Sequence, residues 1–244
     1  MISNPISGAN YFLAGLKLIS GKGVRAFVLI PLLINVVIFS AGLWFAISQF
    51  ELFIAWALSD LPTWLGWLEW VLWPLFALTF YGLVFFSFTL VANIIAAPFC
   101  GPLAMAVETK LSGQSIETSS KNFSIEVKDA ILNELVKLKH SIYLMMPLAF
   151  LSLLSFAFPL ISPLVAVLWF IYAAWILTIE YADFPMANHG LSFLHIREKL
   201  AGKRLLSLGF GTIAMFATLI PIINFLVMPV AVAGATKMYL EEFK

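Results

Sequence analysis

A short glycine-rich loop near the N-terminus holds the residue types that bind an oxyanion. It consists of Gly21, Lys22, Gly23, Val24 and Arg25, and a long apolar segment begins at the next residue. Glycine permits positive φ values that let backbone amides converge on one point, and a helix N-terminus supplies the positive end of a dipole. A guanidinium can grip a tetrahedral oxyanion through two parallel hydrogen bonds. We therefore predict an anion site that uses both cationic side chains and the amides of Gly23 and Val24.

The same loop has a simpler interpretation, which the local sequence leaves open. Basic residues at the cytoplasmic end of a membrane span set its orientation and contact phospholipid headgroups. Lys22 and Arg25 would serve this purpose without any specific ligand.

A second set of candidates interrupts apolar segments at membrane depth. Backbone groups freed by a break in a helix must be satisfied by protein or by a wet cavity, and transporters use broken helices to bind their substrates. A structural kink packed through small residues would require the same residue types. The candidates for a pore lining or a helix break are Asn93, Pro98, Pro221, Asn224 and Pro229, together with the nearby acid Glu108.

Catalytic and metal-binding chemistry is not indicated. Cys100 is the only cysteine, which excludes an intramolecular disulfide and a cysteine-based metal site. His189 follows two acids, Glu180 and Asp183, but lacks a second histidine at helical spacing, so we interpret this group as a polar anchor, with ion passage as the alternative. No nucleophile–base pair, P-loop or HExxH motif occurs. We predict no metal, no cofactor and, at a net charge of +1, no nucleic-acid partner.

The elements that must position these residues are apolar helices. Four segments contain no Asp, Glu, Lys or Arg, and each exceeds the roughly 18 residues that mark a membrane span. These segments are 26–50, 70–107, 141–179 and 205–236. The chain is 11% charged, whereas soluble domains average about 25% charged residues. We therefore predict an all-α integral membrane protein with one membrane domain.

The lengths of the segments define the expected arrangement. We predict an amphipathic interfacial helix over 8–20, transmembrane helices over 26–50 and 70–97, a cytoplasmic helical extension over 108–140, and membrane hairpins over 141–179 and 205–236. The second transmembrane helix is expected to end at Pro98. Prolines divide the last two segments into arms, at least two of which are shorter than a hydrocarbon core of about 30 Å. Such arms favour hemi-penetrating hairpins, which enter and leave the membrane on the same side.

The distribution of charge predicts the orientation. Lys17, Lys22 and Arg25 precede the first span, whereas the loop over 51–69 contains three acids and no base. The positive-inside rule therefore places the N-terminus in the cytoplasm. A basic cluster over 197–204 then requires the preceding segment to cross an even number of times, so the C-terminus is also expected inside. Insertion in both orientations stays open as an alternative, because the difference in charge is small.

Several segments, in the same order along the chain, resemble the CysZ sulfate permease family of bacterial inner membranes. They are 15–35 (GLKLI, then GVRAFVLIPLLIN), 93–99 (NIIAAPF), 180–189 (EYADFPMANH) and 221–236 (PIINFLVMPVAVAGAT). The resemblance implies sulfate uptake for cysteine biosynthesis, two full spans with two hemi-penetrating hairpins, and a homo-oligomer. It also implies that sulfate binds at Gly23, Val24 and Arg25. Relatives often have a second basic residue after this arginine, where the chain has Ala26.

We therefore expect a sulfate transporter or channel of the inner membrane that contacts membrane lipids and binds sulfate. The sequence leaves open whether sulfate moves alone or together with protons. The alternative is a non-transporting membrane scaffold, an assembly factor or a lipid-binding protein, and an embedded enzyme is a third hypothesis. Saturable sulfate uptake by the purified protein in liposomes would separate the first hypothesis from the other two.

Overall fold

The part of the chain that the structure describes is mostly helical. This computed structural model describes residues 4–59, 62, 65–113 and 123–244. For residues 84–90, 92, 93, 123–134, 221 and 222 it describes the backbone alone. The helices are α1 (Pro5–Ile19), α2 (Ala26–Leu58), α3 (Trp67–Ser112), α4 (Phe123–Ala157), α5 (Ser162–Asn188), α6 (Phe193–Gly202), α7 (Arg204–Thr218) and α8 (Pro221–Glu242). The predicted all-α class is confirmed.

Much of this helical structure is long and apolar enough to cross a membrane. Within the described residues, five segments meet this condition: Ala26–Leu58, Ile94–Ser112, Leu135–Ala157, Pro159–Asn188 and Ile223–Glu242. Each has at least 19 residues, close to the roughly 20 that a helix needs to cross the hydrocarbon core. The prediction of an integral membrane protein is confirmed.

The chain forms two compact units. The smaller unit is Leu29–Pro98, which contains most of α2 and the first part of α3. Inside it, α2 and α3 pack through aromatic rings. Phe50 stacks on Phe76 with 4.1 Å between ring centroids, and its edge contacts Trp73 at 5.0 Å. Aromatic pairs of this kind add to the stabilisation that burial alone provides.

The larger unit contains Met1–Val28 and Phe99–Lys244, and α1 buries one face within it. Phe12 of α1 is buried, and its ring contacts that of Phe210 in α7 with centroids 5.8 Å apart. Glycines allow α1 to approach α7 and α8 so closely that a β-carbon would collide with the facing backbone. They are Gly8, Gly15, Gly209 and Gly234. Small residues permit the same close approach between membrane helices in general.

Breaks between helices occur at two of the prolines that lie within the last two apolar segments. A short 3₁₀ turn over Pro159–Ile161 separates α4 from α5, and α8 begins directly at Pro221 after α7 has ended. Proline suits the first turn of a helix, because the amide it lacks would have no partner there. In each pair the two helices pack against each other. The path of either pair through a membrane remains a prediction.

Two other predicted breaks are absent. The helix α3 runs without interruption through Pro98 to Ser112, and α8 continues through Pro229. The helix that carries the second predicted span therefore continues past residue 97 to Ser112, and the end of the span within the membrane stays a prediction. A proline removes one backbone donor, but membrane helices tolerate this loss where neighbouring groups satisfy the freed carbonyl.

Two arms of the predicted hairpins, α5 and α8, extend beyond the apolar segments that defined them. The helix α5 has 27 residues and α8 has 22, because both continue past the first charged residue after the apolar segment. Of the four arms, only α7, with 15 residues, is clearly shorter than the roughly 20 residues of a span. The argument from arm length therefore applies to α7 alone.

Candidate anion-binding site

The glycine-rich loop forms a compact turn between α1 and α2. Gly23 has a φ of 84°, the left-handed conformation that the sequence predicts for a glycine at this point. Val24 is almost fully buried among core residues of the larger unit, and its side chain anchors the turn. The side chains of Lys22 and Arg25, which flank the Gly23–Val24 pair, are exposed. The turn therefore presents two cations to solvent from a fixed backbone.

Some backbone amides of the loop already donate a hydrogen bond within the protein, and others are available to a ligand. Those of Val24 and Arg25 both donate to the Gly21 carbonyl at 3.1 Å, so the Val24 amide that the sequence assigned to the anion is already satisfied. Among the described backbone groups, the amides of Lys22, Gly23 and Ala26 have no hydrogen-bond partner. These are the amides that an anion can engage.

A third cation joins the loop from a distant part of the chain. The Lys110 ammonium, from the last turn of α3, lies directly against Gly21, at the place where a β-carbon would stand. Glycine is therefore required at this position if the ammonium is to stay there. Among the described residues, no carboxylate forms an ion pair with Lys22, Arg25 or Lys110. Nothing in the local sequence links Lys110 to the loop, so Lys110 is absent from the predicted site.

A buried carboxylate holds the end of α3 in place. Glu108 is only 2% exposed, and it accepts hydrogen bonds from Lys244 at 2.7 Å and from His189 at 2.8 Å. About two turns earlier in α3, the Asn188 amide group donates to the Gly101 carbonyl at 3.0 Å. These bonds join α3 to the end of α5 and to the C-terminus. They thereby fix the turn that carries Lys110.

The C-terminal segment is itself anchored to α1 and α6. The Tyr11 hydroxyl donates to Glu241 at 3.0 Å and to Glu242 at 2.9 Å, and Lys203 forms an ion pair with Glu242. Burial and these carboxylates raise the pKa of Tyr11 above its usual value, so the phenol remains a hydrogen-bond donor. The segment that supplies Lys244 to Glu108 is therefore well ordered by contacts at its own end.

The other residues predicted to line a pore or break a helix belong to α3 and α8. Pro98 and Asn93 belong to the smaller unit, where the backbone at both is helical, and the Asn93 side chain lies outside the described residues. Asn224 is in the first turn of α8, where its backbone amide donates to the Ile220 carbonyl at 2.8 Å. The Pro221 side chain also lies outside the described residues. Pro229 lies within the continuous helix α8.

Sequence comparison relates nearly the whole chain to known proteins. The model of the family described as sulfate transporter CysZ/etoposide-induced protein 2.4 matches residues 11–229. A protein named sulfate transporter CysZ from Pectobacterium atrosepticum is 38% identical over 98% of this chain and 86% of its own length. Proteins of the same name from Pseudomonas fluorescens and Vibrio parahaemolyticus are 41% and 38% identical, over 97% and 98% of this chain and 94% and 96% of their own lengths.

Proposed function

The chain belongs to the family of sulfate transporter CysZ and etoposide-induced protein 2.4, and we propose that it carries sulfate across the bacterial inner membrane for assimilation into cysteine. Relatives with the name sulfate transporter CysZ match it over nearly its full length. The observation that carries the proposal is the loop between α1 and α2, where three cations without ion pairs among the described residues adjoin available backbone amides. A sulfate dianion is a ligand of matching charge and hydrogen-bonding capacity.

Sulfate binds through groups of two kinds in this proposal. Arg25 supplies a planar pair of donors, while Lys22 and Lys110 add positive charge on either side of Gly21. The amides of Gly23 and Ala26 add neutral donors at the start of α2. Because the cationic side chains reach solvent, the ion enters without any prior rearrangement of the core.

Glu108 has a positioning role in this account. Its two oxygens are engaged by Lys244 and His189, and it lies one half-turn before Lys110 on the same helix. A carboxylate neutralised in this way is poorly suited to carry a proton with each sulfate ion. We therefore favour facilitated transport without proton coupling, with residues of the apolar helices lining the route.

The assembly and orientation of the protein complete the proposal. The relatives are named as transporters rather than as enzymes, and we propose no catalytic activity. We propose a homo-oligomer with both termini in the cytoplasm, since pairs of hairpin helices that do not cross the membrane require further protein around their ends.

Flux of radiolabelled sulfate into liposomes containing the purified protein tests this function. Saturable uptake above that of empty liposomes, unchanged by an imposed pH gradient, is expected for facilitated transport. Uptake that accelerates when the outside is acidified would replace that mechanism with proton coupling. No uptake above that of empty liposomes would instead favour the non-transporting scaffold or the embedded enzyme.

A further inference from the structure

A cavity of about 500 Å³ opens among α4, α5, α6 and α7. The walls contributed by α4 and α5 are mainly apolar and include Leu144, Leu148, Leu168 and Trp175. On α4 and on α5 the lining residues recur every three or four positions, so each helix offers one continuous face to the cavity. Both faces belong to segments that are long and apolar enough to cross a membrane.

The cavity has a polar end, away from the turn that joins α4 to α5. The Tyr172 hydroxyl donates to the Ser141 carbonyl at 3.3 Å, so the start of the apolar part of α4 lies beside the middle of α5. His140 lines the cavity at this end, and α6 and α7 contribute Arg197 and Arg204 to the same lining. The cavity therefore combines an apolar trough with a cationic group of residues.

Among the described residues, the basic groups at this end lack acidic partners. Among the described residues, no carboxylate forms an ion pair with Arg197 or Arg204. The His140 Nε2 atom is buried and has no hydrogen-bond partner in the described structure. Buried polar atoms are normally satisfied, so this nitrogen points to a ligand or a bound water.

One class of ligand matches both the apolar trough and the cationic end of the cavity. An inorganic anion would pair with the guanidinium groups but would leave the apolar trough unexplained. An anionic phospholipid places its phosphate beside two arginines and an acyl chain along the aliphatic wall, and basic pockets between membrane helices bind anionic headgroups in this way. We propose that the cavity lined by His140, Arg197 and Arg204 is a binding site for an anionic phospholipid, separate from the loop proposed to bind sulfate.

Native mass spectrometry of the delipidated protein tests the proposal. The probes are phosphatidylglycerol and phosphatidylcholine, which differ in charge and not in acyl chains. We expect retention of phosphatidylglycerol at least about tenfold above that of phosphatidylcholine. The double variant Arg197→Gln/Arg204→Gln should abolish this preference, whereas Lys17→Gln/Lys237→Gln, which removes as much charge elsewhere, should keep it. Equal retention of both lipids by the wild type, or an unchanged preference in the arginine variant, would overturn the proposal.

Two further experiments distinguish a lipid from other possible occupants of the cavity. Ala201→Trp fills the cavity and keeps both arginines, so it should reduce retention of phosphatidylglycerol as strongly as the arginine variant. If inorganic phosphate displaces the lipid while Ala201→Trp has no effect, the site binds a free anion and the lipid is excluded. A disulfide between subunits through Leu208→Cys, in a Cys100→Ser background, would show that a second copy of the chain covers the cavity and would also overturn the proposal.

Discussion

At the residue scale, the proposed anion site depends on one guanidinium in a short, exposed turn. Arg25→Ala should weaken sulfate binding about tenfold to a hundredfold, because charge-assisted hydrogen bonds contribute roughly 1.5–3 kcal/mol. Arg25→Lys should restore only part of the affinity, since an ammonium cannot form the paired bonds of a guanidinium. Scintillation proximity binding of radiolabelled sulfate in detergent is the measurement. Lys237→Ala, which removes a base paired with Glu241, is the control. Wild-type affinity in a well-folded Arg25→Ala protein would remove this residue from the site.

The lysines around Gly21 should contribute less than the arginine. Lys110→Ala should weaken sulfate binding by at most about fivefold, because exposed ion pairs contribute roughly 0.2–1 kcal/mol. Gly21→Ala should have a similar effect with no change in charge, since its β-carbon would occupy the position of the Lys110 ammonium. Lys22→Ala should also be mild, with an effect that decreases as salt rises. Calorimetric titration with sulfate can resolve these differences, and an unchanged affinity in both Lys110→Ala and Gly21→Ala would contradict the role of Lys110.

The sequence predicts the loop but not the complete site. The glycine spacing correctly indicates a turn with a positive φ at Gly23, because few other residues adopt that conformation. The hydrogen bond that occupies the Val24 amide depends on the exact geometry of the turn, which composition does not specify. Lys110 comes from a helix far along the chain, so only the packing of α3 against the rest of the larger unit brings it to Gly21.

At the scale of helices, the close packing of α1 against α7 and α8 should be sensitive to a single methyl group. Gly209→Ala places a β-carbon against the Pro5 backbone, and no flexible side chain is available to move aside. Overpacking of this kind typically costs about 1–3 kcal/mol, and we expect a lower unfolding temperature in detergent. Gly42→Ala is the matched control, because a β-carbon there meets nothing within 4 Å. Equal unfolding temperatures for the two variants would show that α1 does not pack as described.

Helix ends are only partly predictable from proline positions. Pro159 and Pro221 coincide with real breaks, since each occupies the first turn of a helix, where its missing amide costs nothing. Pro98 and Pro229 resemble them in sequence but lie within continuous helices. The difference depends on which neighbouring groups satisfy the freed carbonyl, and that is a property of the packed structure.

At the scale of the whole molecule, the path of the α4–α5 and α7–α8 pairs determines how many times the chain crosses the membrane. We predict that neither turn reaches the face opposite His189, as the basic residues over 197–204 and the short α7 indicate. Single cysteines at Ser162 and Asn224 in a Cys100→Ser background can be labelled with an impermeant thiol reagent from either side. A reaction from the face opposite His189 would show that the pair crosses.

The central claim is that this chain transports sulfate through a site at the α1–α2 turn. The most direct test is the initial rate of radiolabelled sulfate uptake into proteoliposomes, measured over a range of sulfate concentrations for wild type, Arg25→Ala and Lys237→Ala. We predict saturable uptake by the wild type and by Lys237→Ala, and half-saturation at roughly tenfold or more higher sulfate for Arg25→Ala. Wild-type protein that supports no saturable uptake, or an Arg25→Ala variant with the wild-type concentration dependence, would contradict the account.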